Sequence, residues 1–432
     1  MKDACVLPAH GPHPGERKTE KMRLRISDLY EASGDSSRSV PMEGIRGLAV
    51  VLVFFVHYNA LFSSYLVPHS RLFQISRFAG LVGNTGVDLF FVLSGYLIYG
   101  ALLRRRVSYI KFIRRRAERI YPAFLCVFGL YLGASAALPT LSKIHGPFIS
   151  RIGLIAANLL LLPGIFQITA IVTVAWSLSY EFFFYLTIPL LVCFTNMVDW
   201  RRRRRVFFFA SVWLGYLAYS FTVNTSHVRL LMFVCGIMLY ETISSGIWNP
   251  VLKNRMGDLL ATLAFISSLV LVYALDTGKW LPVSPSVGNT VLPGVVSYEG
   301  PYKVITLTLS CFPFVFFCIA GHGLLSRIFS WAPVRYLGNI SYSFYLLHGA
   351  TLNGLMLLLR LFSKPDGNSP IFFCALLPIA FALSWFTSTV LFAVIEKPIS
   401  LRSRPTRGRV DSVDPTQDVN KLPAQAGEAA VQ

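Results

Sequence analysis

The sequence alternates long apolar stretches with short blocks of basic residues. Ten stretches are long enough to cross a hydrocarbon core of about 30 Å as helices. They lie near 46–66, 86–103, 120–139, 176–196, 206–222, 228–245, 259–275, 303–320, 337–360 and 371–395. Apolar residues make up 54% of the 432 residues and charged residues only 14%, well below the share usual in soluble domains. This pattern predicts an all-α polytopic integral membrane protein and excludes a disordered chain or a coiled coil.

Two basic blocks predict the orientation in the membrane. Segment 104–119 carries eight basic residues, and 201–205 is a run of five arginines. Such blocks stay on the cytoplasmic side, and only an even number of crossings can separate them. The spans 120–139 and 176–196 already supply two crossings between the blocks. The short apolar piece 152–166, interrupted by Pro163 and Gly164, is therefore expected to be re-entrant or interfacial. The prediction is about ten transmembrane helices with both termini in the cytoplasm.

Charge and composition also predict what the chain interacts with and how its two ends behave. The net charge of +19 comes largely from basic blocks between apolar stretches, so the lipid bilayer and not nucleic acid is the expected partner. Residues 1–43 are polar, without a signal-peptide pattern, and residues 399–432 are polar as well. Both tails are expected to be disordered in the cytoplasm, leaving 44–398 as the membrane domain. The seven cysteines show no zinc spacing, so no metal site is expected.

Ionisable residues inside apolar spans are costly in lipid, which makes them site candidates. His57 lies eleven residues after Arg46. On a helix this spacing leaves the two side chains about 20° apart on one face and about 16 Å apart along the axis. The alternative remains open that His57 is a satisfied interior histidine and Arg46 a positive-inside signal.

Other candidates lie in the second and third spans. Ser94 is expected at about the depth of His57, while Asp88 stays near the outer rim. Before the third span, Arg116 and Arg119 are three residues apart and could bind one phosphate group together. Small residues such as Gly95 are interpreted as helix-packing positions.

Two later spans carry further ionisable residues. Glu181 is an acid in the outer third of its span with no adjacent cation in the sequence, so it should pair with a group on another helix. His348 is a second histidine at mid-depth. Glu396 is interpreted as part of a helix stop at the cytoplasmic surface. A metal site formed by His57 and His348 has no local cluster of ligands to support it.

Together these segments resemble the acyltransferase 3 family of membrane-bound O-acyltransferases, which includes bacterial O-antigen and peptidoglycan O-acetylases. The resemblance rests on Arg-x10-His (Arg46, His57), Gly-Val-Asp-Leu-Phe-Phe-Val-Leu-Ser-Gly-Tyr (Gly86 to Tyr96), Arg-x-x-Arg-Ile-x-Pro (Arg116 to Pro122), Trp-Ser-Leu-Ser-Tyr-Glu (Trp176 to Glu181), Gly-Asn-Ile-Ser-Tyr-Ser-Phe-Tyr-Leu-Leu-His (Gly338 to His348) and Glu-Lys-Pro (Glu396 to Pro398). These motifs follow one another in order over residues 40–398. With only a short tail after them, no fused hydrolase-like domain of the kind some members carry is expected.

The resemblance implies ten transmembrane helices, an acyl-CoA donor, usually acetyl-CoA, and transfer to a carbohydrate hydroxyl. No permanently bound cofactor is expected. The first hypothesis is therefore acyl transfer from cytosolic acyl-CoA to an outer-facing glycan or lipid-linked acceptor, in the cell membrane of a bacterium. His57 would act as general base or transient acyl carrier, and Glu181 would orient the acceptor or a histidine.

The remaining site assignments follow from the same hypothesis. Arg46, Arg116 and Arg119 are expected to bind the donor, whereas the substrate-binding or supporting residues are Asp88, Ser94, Trp176, Tyr185, Tyr345 and His348. The alternative hypothesis is a proton-coupled transporter that uses His57, Glu181 and His348 as a relay. Against it, the sequence shows no inverted repeat.

Overall fold

The computed structural model describes residues 30, 39–104, 108–222, 227–247, 255–277, 300–321, 323–362 and 367–400. In these ranges the regular secondary structure is helical and no sheet forms. Pro163 and Phe166 make an isolated β-bridge. The α-helices are α1 (Val40–Phe62), α2 (Arg71–Val82), α3 (Thr85–Arg104), α4 (Tyr109–Ala137), α5 (Phe148–Leu159), α6 (Ala175–Phe194), α7 (Arg202–Thr222), α8 (Leu231–Ser244), α9 (Arg255–Asp276), α10 (Pro301–Ala320), α11 (Leu324–Ser330), α12 (Ala332–Asn339), α13 (Ser341–Phe362) and α14 (Pro370–Leu391). A π-helix, Phe392–Ser400, continues α14. The all-α prediction is confirmed.

Eight helical segments within the described ranges are long and apolar enough to cross a membrane. They are Val40–Tyr65, Arg71–Arg104, Tyr109–Ala137, Ala175–Phe194, Arg255–Asp276, Pro301–Ala320, Ser341–Phe362 and Pro370–Ile399. The two other predicted spans form α7, which begins with four arginines, and α8, which has 14 residues. The chain is thus a multi-pass membrane protein, and the count of ten crossings stays a prediction.

Several boundaries differ from the apolar stretches. Helix α1 begins at Val40, before the predicted start of the domain at residue 44, because Pro41 suits the first turn and Met42 and Ile45 are buried. Helix α2 lies between the first two predicted spans, and its start is capped by the Ser70 hydroxyl, which accepts from the backbone N–H of Phe73. Helix α5 has 12 residues, about 18 Å, and is too short to cross the core, as expected for 152–166.

The tails lie largely outside the described residues, as does most of the predicted outer loop 276–302. Tyr30 is an exception within the segment that was expected to be disordered. Its ring stacks on Tyr336 with centroids 5.1 Å apart, and its hydroxyl accepts from Trp385 Nε1 at 3.1 Å. This residue of the N-terminal segment therefore packs on α12 and α14.

Helices α3 and α8 cross at unusually short distance because glycines face each other's backbones. A Cβ at Gly95 would collide with the carbonyl oxygen of Phe233, and a Cβ at Gly236 would collide with that of Val92. Small residues allow such close helix packing inside membranes, where van der Waals contact replaces the hydrophobic effect. The packing role predicted for Gly95 agrees with this geometry.

Two buried acids of the bundle are paired with arginines. Asp88 on α3 accepts from Arg229 Nε at 3.0 Å and from Nη2 at 2.7 Å, and both residues are almost fully buried. Glu241 on α8 accepts from Arg205 Nε at 2.6 Å and from the Tyr99 hydroxyl at 2.6 Å. These pairs join α3, α7 and α8 into one block that fixes the position of Ser94 on α3.

Candidate active site

An open cavity lies between α1, α3, α4, α6 and α13. Most of its wall is apolar, and its polar lining combines three arginines, one acid, three serines and three tyrosines. These polar residues are Arg46, Ser94, Arg116, Arg119, Ser177, Glu181, Tyr185, Ser341, Tyr342 and Tyr345. The structure thus brings together the three predicted donor-binding arginines, Glu181 and three of the supporting residues, Ser94, Tyr185 and Tyr345.

Glu181 is the acid of this cavity. Its Oε1 accepts from the Ser94 hydroxyl at 2.8 Å and from the hydroxyl of Tyr185, one turn further along α6. The expectation that Glu181 pairs with a group on another helix is confirmed, although the partner is a neutral hydroxyl. Two donors on one carboxylate oxygen hold the side chain in a single orientation toward the cavity.

The arginines enter the cavity from two helices. Arg46 lies in the second turn of α1, and Arg116 and Arg119 lie seven and ten residues after the first residue of α4. Helix α4 therefore begins well before the predicted span at residue 120, so both arginines are inside one continuous helix. The guanidinium of Arg116 lies 5.4 Å from the ring centroid of Tyr185, which orients it by a cation–π contact.

Glu396 corrects one interpretation made from the sequence. It is not part of a helix stop, because the π-helix continues to Ser400 and the Glu396 side chain is 7% exposed. Its carboxylate accepts from the Ser343 hydroxyl at 2.6 Å and interacts electrostatically with Arg119 and Arg46. A second acid therefore balances part of the positive charge beside the cavity. The π-helical turn that aims it inward could not be read from hydropathy.

The two mid-span histidines are neighbours in space. The ring centroids of His57 on α1 and His348 on α13 are 4.9 Å apart, with an angle of 67° between the ring planes. His348 is fully buried, whereas His57 is half-buried. Helix α1 runs without interruption from Val40 to Phe62, so the predicted separation of about 16 Å between Arg46 and His57 along the axis is retained.

Tyr345 connects the cavity to the histidine pair. It lines the cavity, and its ring centroid lies 6.1 Å from that of His348. Its hydroxyl forms a hydrogen bond of 2.6 Å with the Ser177 hydroxyl. The cavity wall and the histidine pair are therefore in contact at Tyr345 of α13, although neither histidine lines the cavity.

Besides His348, two predicted supporting residues, Asp88 and Trp176, lie outside the cavity. Asp88 does not line the cavity, because its carboxylate is engaged by Arg229. The same guanidinium lies 5.2 Å from the ring of Trp176, and Trp176 in turn contacts Tyr180 edge-on. Arg229 was missed at the sequence level, although an arginine at the start of the predicted span 228–245 met the same criterion as His57.

A further histidine supports the helix that carries Glu181. The Tyr180 hydroxyl forms a hydrogen bond of 2.9 Å with Nδ1 of His227. Burial lowers the pKa of His227 below its usual value, which favours the neutral ring that can accept this bond. His227 lies between α7 and α8, and no motif in the sequence pointed to it.

Side-chain hydrogen bonds fix the segment between α4 and α6. Asn158 donates to the carbonyl oxygen of Thr169 at 3.0 Å and accepts from the N–H of Ile171 at 2.9 Å. Lys143 donates to the Thr173 hydroxyl at 2.9 Å and interacts electrostatically with His57. These contacts fix the backbone of residues 160–174, which form no regular helix. Across the described ranges, histidine, cysteine, aspartate and glutamate form no cluster of three or more that could hold a metal ion.

Comparison with known proteins supplies the family. Residues 41–389 match the acyltransferase 3 family, described as an acyltransferase domain. A Staphylococcus aureus strain COL protein named as an O-acetyltransferase is 24% identical over 345 residues, covering 73% of this chain and 51% of the relative. The chain thus spans about half the length of the staphylococcal relatives it matches.

Two other relatives are matched over most of their length. The membrane-bound transacylase BcsY of Komagataeibacter xylinus, so named, is 26% identical over 370 residues, covering 78% of this chain and 77% of the relative. The exopolysaccharide production protein ExoZ of Rhizobium meliloti is 27% identical over 281 residues, covering 62% and 76%. No solved structure matches. Because the family match extends over well more than half of the sequence, from the start of α1 to the end of α14, the chain belongs to the acyltransferase 3 family of membrane proteins.

Proposed function

We propose that this protein transfers an acyl group, acetyl in the simplest case, from cytosolic acyl-CoA to a hydroxyl of an extracytoplasmic carbohydrate or lipid-linked glycan. Its place would be the inner membrane of a bacterium. The observation that carries the proposal is a cavity in which Arg46, Arg116 and Arg119 lie with Glu181, and whose wall residue Tyr345 contacts His348 of the histidine pair. Membership of an acyltransferase family supports the reaction class.

The arginines suit the phosphate groups of coenzyme A. Guanidinium groups bind phosphates through paired N–H donors, which a lysine ammonium cannot reproduce. Arg116 and Arg119 lie one turn apart on α4, and Arg46 faces the same cavity from α1. If the nucleotide stays at this mouth, an extended pantetheine arm would span the roughly 16 Å to His57. The thioester would then reach the middle of the membrane without transport of CoA itself.

His57 is proposed as the general base. It would take the proton of the acceptor hydroxyl as the hydroxyl oxygen attacks the thioester carbonyl carbon. The C–S bond breaks, and the leaving thiolate takes up that proton to give the CoA thiol. Lys143, near His57 on the outer side, supplies positive charge where the carbonyl oxygen becomes negative.

The acceptor would enter from the side of the outer segment 138–174. The name of ExoZ, an exopolysaccharide production protein, supports a carbohydrate acceptor, and the name of BcsY, a membrane-bound transacylase, supports acyl transfer. Glu181, held by Ser94 and Tyr185, would orient the reacting groups within the cavity.

An acyl-transfer assay tests the proposal. Purified protein in vesicles is given radiolabelled acetyl-CoA and a mixture of lipid-linked glycans. The wild type should move label into the glycan fraction, and His57→Ala should remove this transfer while acetyl-CoA binding persists. A positional control exchanges two neighbours, Val56→His with His57→Val, which turns the imidazole by 100° about α1. No transfer by the wild type, together with proton-driven solute uptake, would favour a transporter instead.

A further inference from the structure

His348 has a defined tautomer. Its Nδ1 lies 2.9 Å from the carbonyl oxygen of Phe344, one turn earlier on α13. A carbonyl oxygen only accepts hydrogen bonds, so Nδ1 carries the hydrogen and donates it. In the neutral ring the other nitrogen, Nε2, then bears a lone pair and acts as an acceptor.

That acceptor is buried without a protein partner. The His348 side chain is fully buried, and Nε2 has no hydrogen bond within the described part of the chain. Leaving a buried polar atom unpaired costs free energy, so an orphan of this kind needs a reason. The ring stacks on Phe344, with centroids 5.7 Å apart and 13° between the planes, which holds Nε2 in place.

The nearest ring that could donate to Nε2 is His57. The two centroids lie 4.9 Å apart and the rings are steeply inclined. At this separation, rotation of the half-buried His57 side chain can bring one of its N–H groups within about 3 Å of Nε2. His348 itself cannot turn without losing its bond to Phe344.

We propose that His348 is a positioning residue for His57: its Nε2 accepts one ring N–H of His57 and thereby directs the lone pair of the other nitrogen toward the acceptor hydroxyl. This inference rests on the proposed function. Once His57 has taken the hydroxyl proton, the shared N–H belongs to a cation, and the hydrogen bond to Nε2 strengthens. The bond therefore favours the transition state more than the ground state.

Two variants of His348 separate a hydrogen-bonding role from packing. His348→Leu keeps an apolar side chain of similar length but removes the acceptor, so kcat should fall by roughly 10- to 100-fold with KM for acetyl-CoA changed by less than about twofold. His348→Gln returns an acceptor oxygen near the position of Nε2 and should recover most of that loss. Each rate is divided by the folded fraction measured by size-exclusion chromatography in detergent.

A double variant tests whether the effect passes through His57. In a His57→Asn background, whose residual transfer is measured with concentrated enzyme and long incubation, His348→Leu should cause no further loss, because the imidazole it positions is already gone. His69→Leu, which removes an exposed histidine from the loop before α2, is the control and should leave KM and kcat within about twofold.

Three results would overturn the inference: unchanged kcat in His348→Leu, equal loss in His348→Leu and His348→Gln, or a further loss in the double variant. Each of these results applies when the wild type transfers label in the same assay. Absence of transfer by the wild type would instead refute the proposed function.

Discussion

Glu181 is a half-buried acid within an apolar helix. Its carboxylate is held by hydroxyls on two helices and faces a cavity lined by three arginines. Such an acid is costly to keep inside a membrane and is seldom retained for packing alone. Its environment therefore supports the functional role proposed for it.

Replacing Glu181 by glutamine should leave the fold intact, since the amide oxygen can still accept from Ser94. Loss of the charge should lower acyl transfer by roughly 100-fold. Glu118→Gln is the matched control, because Glu118 pairs with Arg114 at the surface of α4 and its change should leave the rate within about twofold. Transfer of labelled acetyl measures both. A fully active Glu181→Gln variant would remove Glu181 from the site.

Arg116 and Arg119 should act on donor binding. Their joint replacement by alanine should raise KM for acetyl-CoA by roughly 10- to 100-fold, because two guanidinium groups leave the cavity. Arg114→Ala with Arg115→Ala removes the same charge from the exposed side of α4 and should leave KM almost unchanged. If both pairs raise KM equally, the effect comes from general charge and not from the cavity.

At the scale of helices, the crossing of α3 and α8 sets the geometry behind Ser94. Gly95→Ala places a methyl group against the carbonyl oxygen of Phe233 and should destabilise the protein by about 1–3 kcal/mol through overpacking. Gly133→Ala is the control, since a Cβ at Gly133 meets nothing within 4 Å. Thermal unfolding in detergent compares the two. Equal stability of both variants would show that α3 and α8 can separate freely.

The ion pair between Asp88 and Arg229 should be structural. Asp88→Ala leaves a buried guanidinium uncompensated and should cost about 3–5 kcal/mol. Replacing both partners, by Asp88→Leu with Arg229→Leu, should recover part of this loss because no unpaired charge remains. Unfolding midpoints in detergent give the comparison, and a single variant as stable as the wild type would contradict the pairing.

For the whole molecule, reporter fusions test the predicted orientation. Fusions after residues 110 and 203 should lie in the cytoplasm, and fusions after 145 and 290 outside, because basic blocks remain inside. A fusion after residue 225 decides whether α7 and α8 cross: it reads external in a ten-span protein and cytoplasmic in an eight-span protein. If 145 and 203 lie on the same side, the assignment of 152–166 as non-spanning is wrong.

Much of the architecture follows from the sequence because lipid imposes a simple rule. Backbone groups in a membrane must be paired within the segment, so each long apolar stretch predicts a helix and each basic block predicts a side. Helix α2 escaped this rule because it is amphipathic, and α7 and α8 remain ambiguous because arginines and short length blur the hydropathy signal.

The sequence by itself determined the fold class, and it identified the ionisable residues whose placement in lipid is costly. Only the tertiary structure decided which of them meet. Asp88 and Glu181 are both acids within apolar helices, yet Asp88 forms an ion pair with Arg229 while Glu181 faces the cavity. Likewise, His57 and His348 are 291 positions apart in the chain, but their rings lie 4.9 Å apart. Hydropathy is a property of one segment at a time, whereas these pairings depend on how separate helices rotate and cross.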